Sequence, residues 1–196
     1  TQSRSSAASD VYKRQAVFLV VGAFAAMLAS SDVHWWQDNL SALGMSTNSA
    51  SAAFNITLII AGVMVTTIAR YATAGLPVDD PIDRRGRFIV RGGLILMGIF
   101  LACVGIFPVD EFFLVHNTVA TGMVVVFAVV VVGLPWFLRT IPRVFVAFGW
   151  AYVLVIILLA SFFAVGYYNL TAVELIAAVL IFSLSLIHIS EPTRLG

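Results

Sequence analysis

The chain has 196 residues, 61% of them hydrophobic and 11% charged, with a formal net charge of +1 and a mean hydropathy of +1.01. Water-soluble domains carry roughly 45–50% apolar and about 25% charged residues, so this composition excludes a soluble globule and implies a bilayer. The lone cysteine, Cys103, excludes an intrachain disulfide framework and a zinc site built from several thiolates, and the near-zero charge argues against a nucleic-acid partner.

In chain order, residues 1–15 (TQSRSSAASDVYKRQ) are polar and Ser-rich, and residues 186–196 are polar again after the last apolar run. VYKRQ and LIHISEPTR resemble translated sequencing-adapter strings that recur on unrelated metagenomic fragments. Both tails are therefore expected to be non-native or disordered, and the domain is placed at 16–185. Lys13 and Arg14 before an apolar stretch mimic the start of a signal peptide, but a membrane-spanning reading fits better.

Between the tails lie six apolar runs: Ala16–Ser30, Ala52–Tyr71, Phe88–Phe107, His116–Leu138, Val144–Gly166 and Thr171–Leu186. A spanning helix needs about 17–25 such residues, and the short first run fits a sequence that starts within a natural helix. The runs are apolar throughout rather than alternating, which disfavours a membrane barrel. The expected fold is all-α: a polytopic transmembrane bundle of about six helices, lying multi-pass in a bacterial inner (plasma) membrane.

Outside the tails, basic residues occur only as Arg70, Arg84, Arg85, Arg87, Arg91, Arg139 and Arg143, all in or beside the second and fourth connections. Those connections are expected to be cytoplasmic, with both chain ends on the same side. The opposite side carries Asp32, Asp38, Asp110, Glu111 and Glu174 and no basic side chain. Against its seven arginines the inner side sets Asp79, Asp80 and Asp83, so the small net charge is a cancellation between two faces. The inner stretch Pro77–Arg91 reads first as topogenic charge and second as a pocket for anionic lipid or phosphate. Gly22 with Ala26, and Gly98 with Ala102, are small residues four apart that permit close helix approach. Pro135 is expected to end or bend the fourth run.

The outer side gathers most of the unusual side chains. DVHWWQDNLSALG supplies His34, Trp35, Trp36, Asp38 and Ser41; FPVDEFFLVHN supplies Asp110, His116 and Asn117; Asn55 sits near the start of the second run. An amide in hydrocarbon is costly unless paired, so Asn55 is expected to point inward to a neighbouring helix or loop. One reading of this cluster is structural, with indoles anchoring the interface and Asp or Asn capping helices. A second is a site for a lipid headgroup or small polar ligand, where carboxylates meet a cationic group and indoles pack apolar parts.

A third reading is a metal-dependent hydrolase using His34, Asp38, Asp110 and His116, although no HExxH spacing supports it. Ser41 as a nucleophile needs a base within hydrogen-bond reach, which sequence alone does not place. Small-solute transport is the last reading; proton coupling is disfavoured because the centres of the runs lack ionisable residues. No cofactor is implied, enzymatic activity is the less favoured class, and the oligomeric state is left open. NLT at Asn169–Thr171 matches a glycosylation acceptor, which carries no meaning in a bacterial chain.

The ordered set SALG (Ser41–Gly44), FN (Phe54, Asn55), FPVD (Phe107–Asp110) and HN (His116, Asn117) resembles the bacterial membrane family known as domain of unknown function 998. In outline it is also similar to eukaryotic DRAM-like and FRAG-like membrane proteins. The resemblance covers Ala16 to Ser185 and implies a six-helix membrane protein with Ser41, Asn55, Asp110, His116 and Asn117 at one face. The DRAM-like relatives imply a role in membrane or lipid homeostasis. The truncated first helix departs from the family pattern.

Overall fold

The structure is a computed structural model that describes residues 17–45, 48–76, 80–139, 141–177 and 179. Both tails, and the sixth run beyond 179, lie outside the described residues. Every regular element among the described residues is helical. In chain order these are α1 (Val17–Ala29), two short 3-10 turns (Trp35–Gln37 and Leu40–Gly44), α2 (Ser49–Ala72), α3 (Pro81–Ile106), α4 (Phe113–Phe137), α5 (Arg143–Ala164), and α6 over 170–177.

Helices α2 to α5 have 24, 26, 25 and 22 residues and peak mean hydropathies of 2.0, 2.3, 2.3 and 2.5. At about 1.5 Å per residue they run about 33–39 Å, enough to cross a hydrocarbon core of about 30 Å. Their apolar side chains largely face outward: Val63, Phe88, Val125, Val144 and Ile157 are each more than half exposed. That surface suits lipid, and the chain is a multi-pass membrane protein by length and composition of its helices. α1, at 13 residues, falls short of a span.

Helix starts follow local chemistry more than hydropathy. The Asn48 side chain accepts from Ser51 N at 2.9 Å and opens α2 three residues before the expected Ala52. Asp80 accepts from Ile82 N at 2.8 Å with Pro81 at the first helical position, so α3 begins seven residues before the expected Phe88. Arg84, Arg85 and Arg87 therefore sit on helix. Likewise α4 opens at Phe113, making His116 its fourth residue rather than its first. Pro135 lies inside α4, which ends two residues later at Phe137.

Packing is sequential, with α2 on α3, α3 on α4, and a lighter contact of α4 with α5. Glycines set the closest approaches. A Cβ on Gly62 would collide with the Gly98 carbonyl and Ala102, and one on Gly22 would collide with Thr57. The small pairs Gly22/Ala26 and Gly98/Ala102 thus mark the α1–α2 and α2–α3 contacts. Along α3, Arg87, Arg91, Gly98 and Gly105 turn toward α2 or the chain that follows it, whereas Asp83, Gly86 and Gly93 turn toward α4. Buried hydroxyls in α2 and at its end bond back along the backbone: Thr57 to Ala53 O (2.7 Å) and Thr73, just past the last turn, to Ala69 O (2.8 Å).

The connections fall at two ends. At the basic end, Asp83, only 2% exposed, accepts from Arg139 N at 2.8 Å, and Gly86 lies against the Phe137 carbonyl. Arg91 Nε donates to Thr73 Oγ1 at 2.8 Å. At the opposite, acidic end, the first, third and fifth connections meet.

Candidate functional site at the acidic end

The first connection is short of apolar residues, yet its backbone is held from four directions. Ala26, Leu43 and Phe54 form a buried cluster, with Trp35, Leu40 and Leu58 packed on it, and this seats the two 3-10 turns between α1 and α2. The Asn55 amide donates to Gly44 O at 3.1 Å. Leu40 N donates to a Glu174 carboxylate oxygen at 2.6 Å, reaching α6. The Asn169 amide donates to Trp36 O at 2.6 Å, while its side-chain oxygen accepts from Ala172 N at 3.0 Å and so caps α6.

The fourth direction joins the first connection to α4. His116 is 4% exposed; its Nδ1 lies 2.7 Å from Phe107 O and its Nε2 lies 3.0 Å from Ser41 Oγ. A carbonyl oxygen only accepts, so Nδ1 carries the hydrogen toward Phe107. In the neutral ring Nε2 then holds a lone pair, and the Ser41 hydroxyl donates to it. Phe107 is itself fixed by an edge-to-face contact with Phe112, ring centroids 5.4 Å apart. The Phe112 carbonyl accepts the His116 amide at 2.9 Å, so the third connection forms one bonded corner around the imidazole.

Beside this corner lies a cleft of about 170 Å³ whose polar walls are Ser30, Ser31, Asp32, Asp38 and Asn48. Asp32 accepts from His34 N at 2.8 Å, and the Asn48 amide donates to Ser31 Oγ at 2.8 Å. The cleft thus has two carboxylates, Asp32 and Asp38, in its lining.

The nine residues named from sequence separate into groups. Ser41 and His116 are in direct contact, and Asn55 braces the same 3-10 turn. Trp35 is half-buried in the apolar cluster. Asp38 lines the cleft. His34, Trp36, Asp110 and Asn117 are exposed, and the side chains of Asp110 and Asn117 make no hydrogen bond among the described residues. The metal candidates His34, Asp38, Asp110 and His116 do not assemble: among the described residues no three His, Cys, Asp or Glu side chains gather to hold a metal ion. Both His116 nitrogens are already turned to Phe107 and Ser41, which is the physical reason that this imidazole does not join such a set.

Glu174 and Asn169 hold more of the site than their sequence context indicates. Thr171 Oγ1 and Asn39 Oδ1 are buried with no hydrogen-bond partner among the described residues. For Asn169, Thr171 and Glu174 the available signal was a polar residue at the start of an apolar run, as for Asn55. No protein-family model matches the chain, and comparison with curated proteins and with solved structures finds nothing similar.

Proposed function

We propose that the protein is a multi-pass protein of a bacterial inner membrane, with both chain ends cytoplasmic, whose outer face binds a small cationic group such as the amine of a lipid headgroup. The observation that carries this reading is the cleft lined by both Asp32 and Asp38, at whose edge Asp32 accepts from His34 N and the Asn48 amide donates to Ser31 Oγ. Two carboxylates lining one cleft, on a face without basic side chains, attract a cation and repel an anion. Its volume of about 170 Å³ suits a group of a few heavy atoms and not a large solute. Trp36, half exposed in the same connection, offers an indole surface to a cation or to an acyl chain. The order of SALG, FN, FPVD and HN supports membership of the family known as domain of unknown function 998, and with it a role at the membrane itself.

The test compares short-chain phosphatidylethanolamine with short-chain phosphatidylglycerol, titrated into the full chain in detergent and followed by thermal stabilisation. The ethanolamine lipid is expected to stabilise more, and Asp32→Asn/Asp38→Asn to remove the difference. Free ethanolamine distinguishes a headgroup site from a solute site: stabilisation by the free amine alone, without the lipid, assigns the cleft to a solute. Equal response to both lipids, unchanged in the double variant, sinks the reading.

A further inference from the structure

We propose that Ser41 is the nucleophile of an acyl-transfer site and His116 its general base, acting on carboxylic esters of lipids. This stands apart from the cation reading of the cleft, since neither residue lines that cleft.

A serine hydroxyl is a weak nucleophile unless a base takes its proton, and the base must present a lone pair at the hydroxyl while a third group fixes its tautomer. All three parts are present. Ser41 Oγ lies 3.0 Å from His116 Nε2, and Nδ1 is held 2.7 Å from the Phe107 carbonyl. The carbonyl takes the orienting position that a carboxylate often fills. The imidazole is buried, at 4% exposed, whereas Ser41 is half-buried. The pair is 75 residues apart in sequence, so the contact is not a local turn motif of the kind by which serine hydroxyls usually satisfy themselves.

The substrate class follows from depth. His116 is the fourth residue of a spanning helix, about 5 Å along the axis from its end. Phe113 and Leu114, in the same turn, are 65% and 79% exposed, as expected of a surface against lipid. That depth is the boundary between hydrocarbon and headgroups, where the ester carbonyls of glycerolipids lie.

The step balances with water as the only co-reactant. Ser41 Oγ forms a bond to the ester carbonyl carbon as its proton passes to Nε2. The bond from that carbon to the alcohol oxygen breaks, and the leaving alcohol takes the proton from Nε2, leaving acyl-Ser41. Water then adds to the acyl carbon and gives a proton to Nε2; the carboxylic acid departs as Ser41 recovers that proton.

The full chain in phospholipid nanodiscs is treated with two fluorophosphonate probes, one bearing a long alkyl chain and one short and polar, and modified serines are mapped by mass spectrometry. Ser41 is expected to be the modified residue, faster with the long-chain probe. Ser41→Ala keeps the Phe107 bond to His116 and removes labelling. His116→Gln slows it by about 100-fold or more, the usual contribution of a positioned base. If His116→Gln fails to fold, Phe107 and His116 are left intact in Ser41→Cys, whose thiol is expected to react with iodoacetamide faster than Cys103. Absence of Ser41 labelling in folded protein, or a rate unchanged in His116→Gln, or a Ser41→Cys thiol slower than Cys103, overturns the nucleophile. Equal rates with both probes overturn the lipid assignment.

Discussion

Glycines in a membrane helix do opposite things according to what faces them. Gly86 lies where any Cβ would run into the Phe137 carbonyl, and that backbone atom cannot rotate away. Gly86→Ala is expected to cost about 1–3 kcal/mol by overpacking, pushing the start of α3 from the end of α4. Gly92, six residues on, has nothing within 4 Å of its missing Cβ, and Gly92→Ala should stabilise α3 by up to about 1 kcal/mol through helix propensity. Thermal unfolding of the two variants in one detergent checks both signs; a Gly86→Ala protein as stable as wild type would refute the contact. At this scale the sequence was only partly legible. Asn55 had to find a partner because an amide is costly in hydrocarbon, and it does so at Gly44 O. The pairing of Ser41 with His116 was not legible, because it depends on how two connections fold over each other and not on any local spacing.

Among the elements, the spans were the most readable because an apolar run long enough to cross a bilayer has few alternatives. Their ends were less so. Hydropathy placed the start of α3 at Phe88, since the preceding turns carry arginines and an aspartate; the backbone instead starts where Asp80 caps it. Charge and helicity are independent variables, and only the cap residue reports the second. The same logic singles out Asn169, which closes the first turn of α6 through Ala172 N and ties that helix to Trp36 O. Asn169→Ala removes both bonds at once. It is expected to destabilise by about 1–2 kcal/mol, and to speed amide exchange at Trp36–Gln37 and 170–173 while leaving α3 unchanged. Exchange confined to α6 alone would show that the tie to the first connection carries no stability.

For the whole molecule, charge and contacts give two independent descriptions of the same partition. The arginines gather at the end where Asp83 meets Arg139 N; Asp32, Asp38, Asp110, Glu111 and Glu174 gather where Ser41 meets His116. On a Cys103→Ala background, Arg85→Cys and Asp110→Cys are expected to react with an impermeant maleimide from opposite sides of the membrane, Asp110→Cys from outside in intact cells. Labelling of both from outside would refute the orientation. The packing also has a gradient: a third of the most apolar window of α2 is buried, but only 11% of that of α5. Hence, among the described residues, α2 and α3 form the centre of the packing and α5 is the least buried of the four spans.

The hydrogen bonds from Leu40 to Glu174 and from Asn169 to Trp36 join residues 134 and 133 positions apart. A chain that leaves the ribosome from its N-terminus therefore makes the first connection early but adds these two bonds last. Asn55 and His116 can brace the Ser41 turn once α2 and α4 are made, but until α6 arrives Leu40 N and Trp36 O have only water or passing partners. The finished corner is in this sense a record that the chain has been threaded as far as α6, and partly made molecules would be loosest around Leu40 and Trp36.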